Sequence, residues 1–353
     1  MKGKRIAAFA VLSVFLTAAL TVSLAAQKKA KTEARVFIPK DVKKVLESGL
    51  LTKQPCLNIP FAVTDHLFLP AGGSFHNILR LEIKNKDLGF APAAQEPEKT
   101  PEGSAAPAAE MRAVFNLFIQ YREISGGLPG MVAKEIYIPC DQNADAAGYD
   151  PEKTELYFVG YPLSPGKYMA ALALTTTDLK KIGTQYFEFS TPDPAVFVDR
   201  LETTPVFTVK NIERMEAPEN RTILHKDHFT YSILKIWPNI GNVVGFQDNL
   251  DIFYFVFGAR PNAEQKYDLE TEMEVKKDEE SVLRFAPTVM ESPLVSLPLP
   301  LKRTLITQSE AGETREEKDL EPGSYVLVIK ILDKNSGNTV TKTVPFTVTP
   351  PAL

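Results

Sequence analysis

The 353-residue chain carries 40 Lys and Arg against 44 Asp and Glu, a formal charge of −4, with only two cysteines and one tryptophan. A mildly acidic, evenly mixed composition gives no electrostatic footprint for nucleic acid or anionic lipid. The length allows two modules of about 150 residues, each with room for its own hydrophobic core.

The first segment reads as an export signal. Lys2, Lys4 and Arg5 precede an almost wholly apolar run from Ile6 to Leu24, and small residues at Ala25 and Ala26 suit cleavage, so residues 1–26 are expected to be a signal peptide. No cysteine follows the run, which argues against a bacterial lipid anchor. The alternative is a retained anchor, since the run approaches the ~20 residues needed to span a bilayer. No later stretch is long enough to span. The processed chain, with 37 basic residues against 44 acidic, is therefore expected to lack an integral membrane span and to be secreted or periplasmic.

Beyond the leader, Lys40 to Ser48 has helical spacing: Val42, Val45 and Leu46 line one side, and Gly49 can end the helix. Strand signals dominate from there on, first at Ile78 to Asn85, Ala113 to Tyr121 and Glu135 to Ile138. Ala91 to Glu110 lacks the apolar content to order itself and is expected to be a disordered insertion between strands. Tyr168, Ala170, Leu172 and Leu174 share one strand face, a turn spans Asp178 to Gly183, and a strand returns from Gln185 to Phe189. Further on, Asp251 to Gly258 is apolar on both faces, the pattern of a doubly covered strand. A strand is also expected from Tyr267 to Val275. Pro293 to Pro300 reads as an extended edge or polyproline segment. Tyr325, Leu327, Ile329 and Ile331 form another strand face, Asp333 to Asn338 a turn, and Val344 to Val348 a last strand that Pro345 assigns to a sheet edge.

Two phrases repeat: Leu163-Ser164-Pro165-Gly166-Lys167-Tyr168 and Leu320-Glu321-Pro322-Gly323-Ser324-Tyr325, each followed by two strands and a Thr-Pro stop. An earlier match pairs Val36 to Val42 with Val206 to Ile212. The expected organisation is all-β, with one module at 33–193, carrying the insertion at 91–110, and a second at 203–350. The Pro-Gly-x-Tyr phrase before a penultimate strand resembles the tyrosine corner of immunoglobulin-like and fibronectin type III-like β-sandwiches. The final sequence is also similar to such modules in secreted bacterial proteins, including those near GWxTD-type domains, whose signature is absent here. The resemblance implies two tandem sandwiches with Tyr168 and Tyr325 as structural residues, and it transfers no activity.

Chemistry is sparse. Asp141, Asn143, Asp145 and Glu152 have the oxygen-ligand spacing of a calcium loop, but Ala146 stands where such a loop needs glycine, and ordinary turn chemistry is the competing reading. Cys56 and Cys140 form an even pair that an oxidising compartment would bridge; the alternative is two buried free thiols. His225 and His228 lack a third ligand, while His66 and His76 stand alone. No nucleophile elbow, phosphate loop or dinucleotide fingerprint is present, so no catalytic residue or cofactor is assigned. The function expected is an exported, non-enzymatic interaction or structural module of the cell envelope with a protein partner. The alternative is a carbohydrate-binding or carbohydrate-processing protein using the aromatics near Trp237, Phe246 and Tyr254.

Overall fold

The computed structural model describes residues 37–93, 110–309 and 312–351, whose regular structure is β-strand apart from one short α-helix and three single 3-10 turns. The expected signal peptide and residues 94–109 of the expected insertion lie outside the described residues. No helix among the described residues is long and apolar enough to cross a membrane. The described chain divides into two compact units. The first comprises the residues up to Pro192 together with Met215–Ile233, and the second comprises Asp193–Arg214 together with the residues from Leu234.

The first unit begins with α1 (Lys40–Gly49) and continues through β1 (Ala62–Ala71), β2 (Ser74–Lys84), β3 (Ala91–Pro92), β4 (Glu110–Ser125), β5 (Leu128–Asp145), β6 (Thr154–Leu163), β7 (Gly166–Thr176) and β8 (Ile182–Thr191). Antiparallel pairing produces two sheets, β1-β2-β6 and β5-β4-β7-β8. β3 joins the start of β4 with Ala91 opposite Arg112, so the ends of the expected disordered insertion are ordered strand. Leu79, Leu81, Tyr157 and Val159 from one sheet pack against Leu117, Ile119, Ala170 and Leu172 from the other, which makes a sandwich-like core. β7 is buried on both faces because its alternate residues Met169, Ala171 and Ala173 carry α1 through Val42 and Leu46. Alanine at two of these three positions leaves room for a helix on the sheet. The C-terminal turn of α1 is tied down by Tyr186, whose hydroxyl donates to Leu46 O at 2.9 Å.

The sheet order also corrects the expected disulfide. Cys140 lies on β5 and Cys56 lies beside Thr184 on β8, at opposite edges of one sheet, and both thiols are free. Three strand spacings of about 4.8 Å separate these edges, well beyond the reach of a disulfide. Burial pushes the Cys140 thiol up to about 12, so it behaves as a small apolar side chain of the core.

The second unit and the excursion within it contain β9 (Glu202–Thr203), β10 (Phe207–Arg214), β11 (His225–Lys226), β12 (Phe229–Tyr231), β13 (Leu234–Pro238), β14 (Val243–Val244), β15 (Asn249–Phe257), β16 (Leu269–Lys277), β17 (Glu280–Arg284), β18 (Thr288–Met290), β19 (Leu294–Pro300), β20 (Lys302–Ser309), β21 (Gly312–Asp319), β22 (Gly323–Asp333) and β23 (Thr339–Val348). One sheet runs β13-β10-β15-β19, with β9 beside β15; the other runs β14-β23-β22-β16-β17, with β18 beside β16. Ile252, Tyr254 and Val256 of β15 face Leu327, Ile329 and Ile331 of β22 across the core. On the opposite face of β15, Phe253 and Phe257 meet Phe207 and Phe197, with ring centroids 5.2 and 4.6 Å apart, so this strand is covered on both sides. The proline-rich β19 lies at the sheet edge, where the missing N–H groups cost least. β20 and β21 form a separate hairpin between β19 and the second Pro-Gly-x-Tyr phrase, and Leu320 N donates to Leu301 O at 2.9 Å to close it.

Two expectations about the duplication are corrected. Lys40 to Val42 lie in a helix while Lys210 to Ile212 lie in a strand, so the early sequence match is not a structural one. Residues 203–350 are also not one contiguous unit, because Met215–Ile233 belongs with the first. There β11 pairs with β6, His225 opposite Phe158, and extends its sheet by one strand. Leu224 enters the first core, Phe229 packs on Phe158 with centroids 5.9 Å apart, and Tyr231 donates to Pro70 O at 2.6 Å. The outer face of the β1-β2-β6 sheet, including the fully buried Ile78 and Phe158, is thereby sealed.

The repeated phrase builds the same elbow twice. Tyr168 donates to Ser164 O at 2.9 Å and Tyr325 to Glu321 O at 2.7 Å, each four residues back. Tyr168 stacks on Phe189 (5.8 Å) and Tyr325 on Phe346 (5.6 Å), each across the hairpin. Gly166 and Gly323 take φ of +156° and +155°, a region that excludes side chains and lets the backbone lie under the tyrosine ring. Tyr168→Phe and Tyr325→Phe keep the stacking and lose one hydrogen bond each. Each is expected to lower unfolding stability by about 1 kcal/mol in urea titrations, and a change below the error for both variants would show that the elbow is passive.

Candidate functional site

The expected calcium ligands do not converge. Asp141 is held in a bidentate pair by Arg112 at 2.7 and 2.5 Å, and that hydrogen bonding keeps its carboxyl below the usual range. Asp145 accepts from Ala147 N as a turn cap. Glu152 bridges Lys86 at 2.7 Å and Lys84 at 3.0 Å, which lower its carboxyl in that order. Asn143 stays exposed on β5. Among the described residues, no three His, Cys, Asp or Glu side chains gather into a metal-holding group.

Of the aromatics expected to present a sugar platform, Phe246 is half-buried. Tyr254 is fully buried, whereas Trp237 is half-buried on β13 with Lys235 Nζ 4.6 Å above its ring.

All four histidines serve the first unit. His66 Nε2 lies 2.8 Å from Asn77 Oδ1, which also accepts from Thr191 Oγ1. His225 Nε2 lies 2.8 Å from Glu219 Oε2, the oxygen that Thr230 Oγ1 also reaches, and the His225 and His228 rings sit 4.6 Å apart. His76 is half-buried over Gly160, where an added Cβ would fall 2.2 Å from its Nε2. Burial outweighs the charge of Glu219 and a hydrogen bond to the Thr230 backbone, and pushes His76 down to about 4.

In the second unit, a stretch of sheet-edge backbone also lacks an internal partner among the described residues. Over Thr339–Val348 the β22–β23 register is continuous, so residue parity is constant along β23. Thr347 N donates to Asn242 O at 3.0 Å, Thr349 N donates to Val244 O at 2.9 Å, and Pro345 O accepts from Asn242 Nδ2 at 2.9 Å. Odd-numbered residues therefore turn their backbone groups away from β22. β14 covers this edge only opposite Thr347 and Val348, and Pro345 lacks an N–H to present. Thr339, Thr341 and Thr343 direct N–H and C=O outward, and among the described residues nothing pairs with them. Their side chains are exposed.

Alongside this edge lies a groove of about 460 Å³ between Asp199–Glu202 and Asn338–Lys342. Lys342 and Glu202 are ion-paired across it, and Arg200 reaches Glu202 at 3.0 Å. Burial acts to raise the Glu202 carboxyl, but Lys342, the Thr203 amide and Arg200 together hold it below the usual range. Sequence reading assigned Pro345 to an edge and overlooked the threonines; the signal available was Thr at every second position of Thr339-Val340-Thr341-Lys342-Thr343.

No family model matches the chain, and no curated protein matches it. One solved structure, the M60 catalytic domain with the CBM51-1 and CBM51-2 domains from Clostridium perfringens ZmpB, is 10% identical and covers 82% of this chain. This chain spans only 39% of that one, and the TM-score of 0.12 carries no argument.

The His76 geometry predicts acid sensitivity. An imidazole held neutral by desolvation leaves the unfolded state, with its ordinary value of 6.5, binding more protons between pH 6.5 and 4. Stability therefore falls as pH drops through that window, by up to about 3 kcal/mol. Urea midpoints at pH 7 and 5 should differ clearly in the native chain and much less in His76→Leu. An equal pH dependence in both would assign the effect elsewhere.

Proposed function

We propose that the protein is an exported, non-enzymatic interaction or structural module of the cell envelope, built from two tandem immunoglobulin-like or fibronectin type III-like sandwiches. The strand order supports the fold half of this reading. Strands β1-β2-β6 facing β5-β4-β7-β8 follow the A-B-E over C′-C-F-G arrangement of such modules, with the tyrosine elbow opening the penultimate strand. The second unit repeats the scheme with β10-β15-β19 facing β23-β22-β16-β17, and β14 runs parallel to the last strand.

Fold alone does not choose a function. The observation that carries the functional half is the open backbone edge of β23, because unpaired ladder groups beside a groove are what a sandwich offers a protein partner. The polar side chains that first suggest chemistry are engaged internally: Asp141 by Arg112, Glu152 by two lysines, His66 by Asn77 and His225 by Glu219. The chemical leader in the sequence supports export.

A photoreactive residue placed at position 343 in the producing cell is expected to give a discrete protein adduct in the envelope fraction, and one placed at position 152 is not. Absence of any adduct from 343, or robust turnover by the purified chain across a hydrolase panel, would overturn the reading.

A further inference from the structure

The two sandwiches treat the same edge differently. Offset by 157 residues, Tyr168 corresponds to Tyr325, Phe189 to Phe346, and Thr184 to Thr341. In the first unit that position is filled. Thr184 N donates to Cys56 O at 2.9 Å, Cys56 N donates to Thr184 Oγ1 at 2.8 Å, and Leu57 forms an antiparallel bridge with Gly183. A short extended piece of the chain itself thus lies along the last strand as an extra, antiparallel partner. In the second unit Thr341 keeps the same parity and the same hydroxyl, and no described segment takes the place of Cys56 and Leu57.

We propose that the Thr339–Thr343 edge of β23 is an acceptor for an extended segment of a partner polypeptide, which adds antiparallel to β23 in the position that Cys56 and Leu57 take on β8. This rests on the interaction-module reading and names the chemical class of the partner. Outward N–H and C=O groups repeating every second residue match an extended backbone, with the Thr341 hydroxyl available to accept an incoming N–H as Thr184 does. The partner's path differs in one respect. Gly183, where an added Cβ would fall 1.9 Å from Ile59 O, corresponds to Val340, so the incoming strand cannot tuck inward as Ile59 does and must run straight along the edge. The groove beside Arg200, Leu201 and Glu202 provides the space for it.

Strand addition is a backbone interaction, which makes it separable from side-chain recognition. Thr341→Pro deletes only an outward N–H and has a native precedent four residues on, at Pro345, so the ladder to β22 is retained. Thr341→Val keeps the N–H and removes the hydroxyl. A random ten-residue peptide library selected on the full chain provides the probes. Selected peptides are expected to bind Thr341→Pro at least tenfold more weakly than the native chain, and Thr341→Val within about threefold of it. In the native chain, bound peptide should slow hydrogen exchange at the Thr341 and Thr343 amides, a readout that stands even if Thr341→Pro folds poorly. Peptides that bind both variants as tightly as the native chain and leave these amides unprotected would overturn the edge and leave the interaction-module reading standing. Equal losses in both variants would show side-chain recognition and overturn strand addition. An empty selection would sink the edge and the reading together.

Discussion

Every strand at the margin of a sheet leaves half its backbone donors and acceptors unpaired, and the way this chain meets that constraint organises both of its units. The first unit covers two of its four margins with local and distant pieces of chain and leaves β1 and β5 as edge strands among the described residues. Cys56 and Leu57 lie along β8, and β11, arriving from beyond the end of the first module's sequence, lies along β6. Its exposed faces are closed as well, one by α1 and the other by the residues around Phe229. The second unit covers its margins more thinly: prolines in β19, two residues of β14, and Pro345. The edge of β8 therefore carries a partner segment, whereas the edge of β23 is left open over Thr339–Thr343 among the described residues.

The two units differ most where the shared elbow permits it. The tyrosine hydroxyl, the positive-φ glycine and the cross-strand phenylalanine fix only the entry into the penultimate strand. The chain between β19 and Leu320 could accept a whole hairpin because Leu301 and Leu320 remain hydrogen-bonded at its base, so the crossover still presents the same ends to the core. The excursion between β10 and β13 obeys the same logic. Its base is held as a hairpin ladder, from Arg214 opposite Leu234 to Ile212 opposite Ile236, and its tip is free to find another surface.

What could be read from sequence was what short-range chemistry dictates. Pro-Gly-x-Tyr is legible because the glycine conformation and the tyrosine bond both lie within five residues, and the alternation in β7 and β22 is legible because the core selects it. Alanines at 171 and 173 hinted at a second covered face, but their partner, α1, lies more than 120 residues earlier in the chain. The disulfide expectation failed for a related reason: counting cysteines cannot see that β4 and β7 lie between them. Nor could the sequence assign Leu224, Phe229 and Tyr231 to the first unit, since their spacing suits a strand in either.

The histidines show how such distant contacts carry consequences that a local reading misses. As isolated residues in sequence, His66 and His76 promise nothing. Once Gly160 removes a side chain beneath His76 and the Met215–Ile233 segment packs against it, the imidazole is partly desolvated and favours its neutral form. Glu219 partly opposes this, and it also anchors His225 and Thr230. The layer sealing the first unit is therefore apolar in its packing and acid-sensitive in its chemistry, whereas the open edge of β23 is made of threonine backbone that does not titrate. Acidification acts on the imidazole of the seal, whereas at the acceptor edge the groups that titrate are the Glu202 and Lys342 side chains beside it and not the ladder itself.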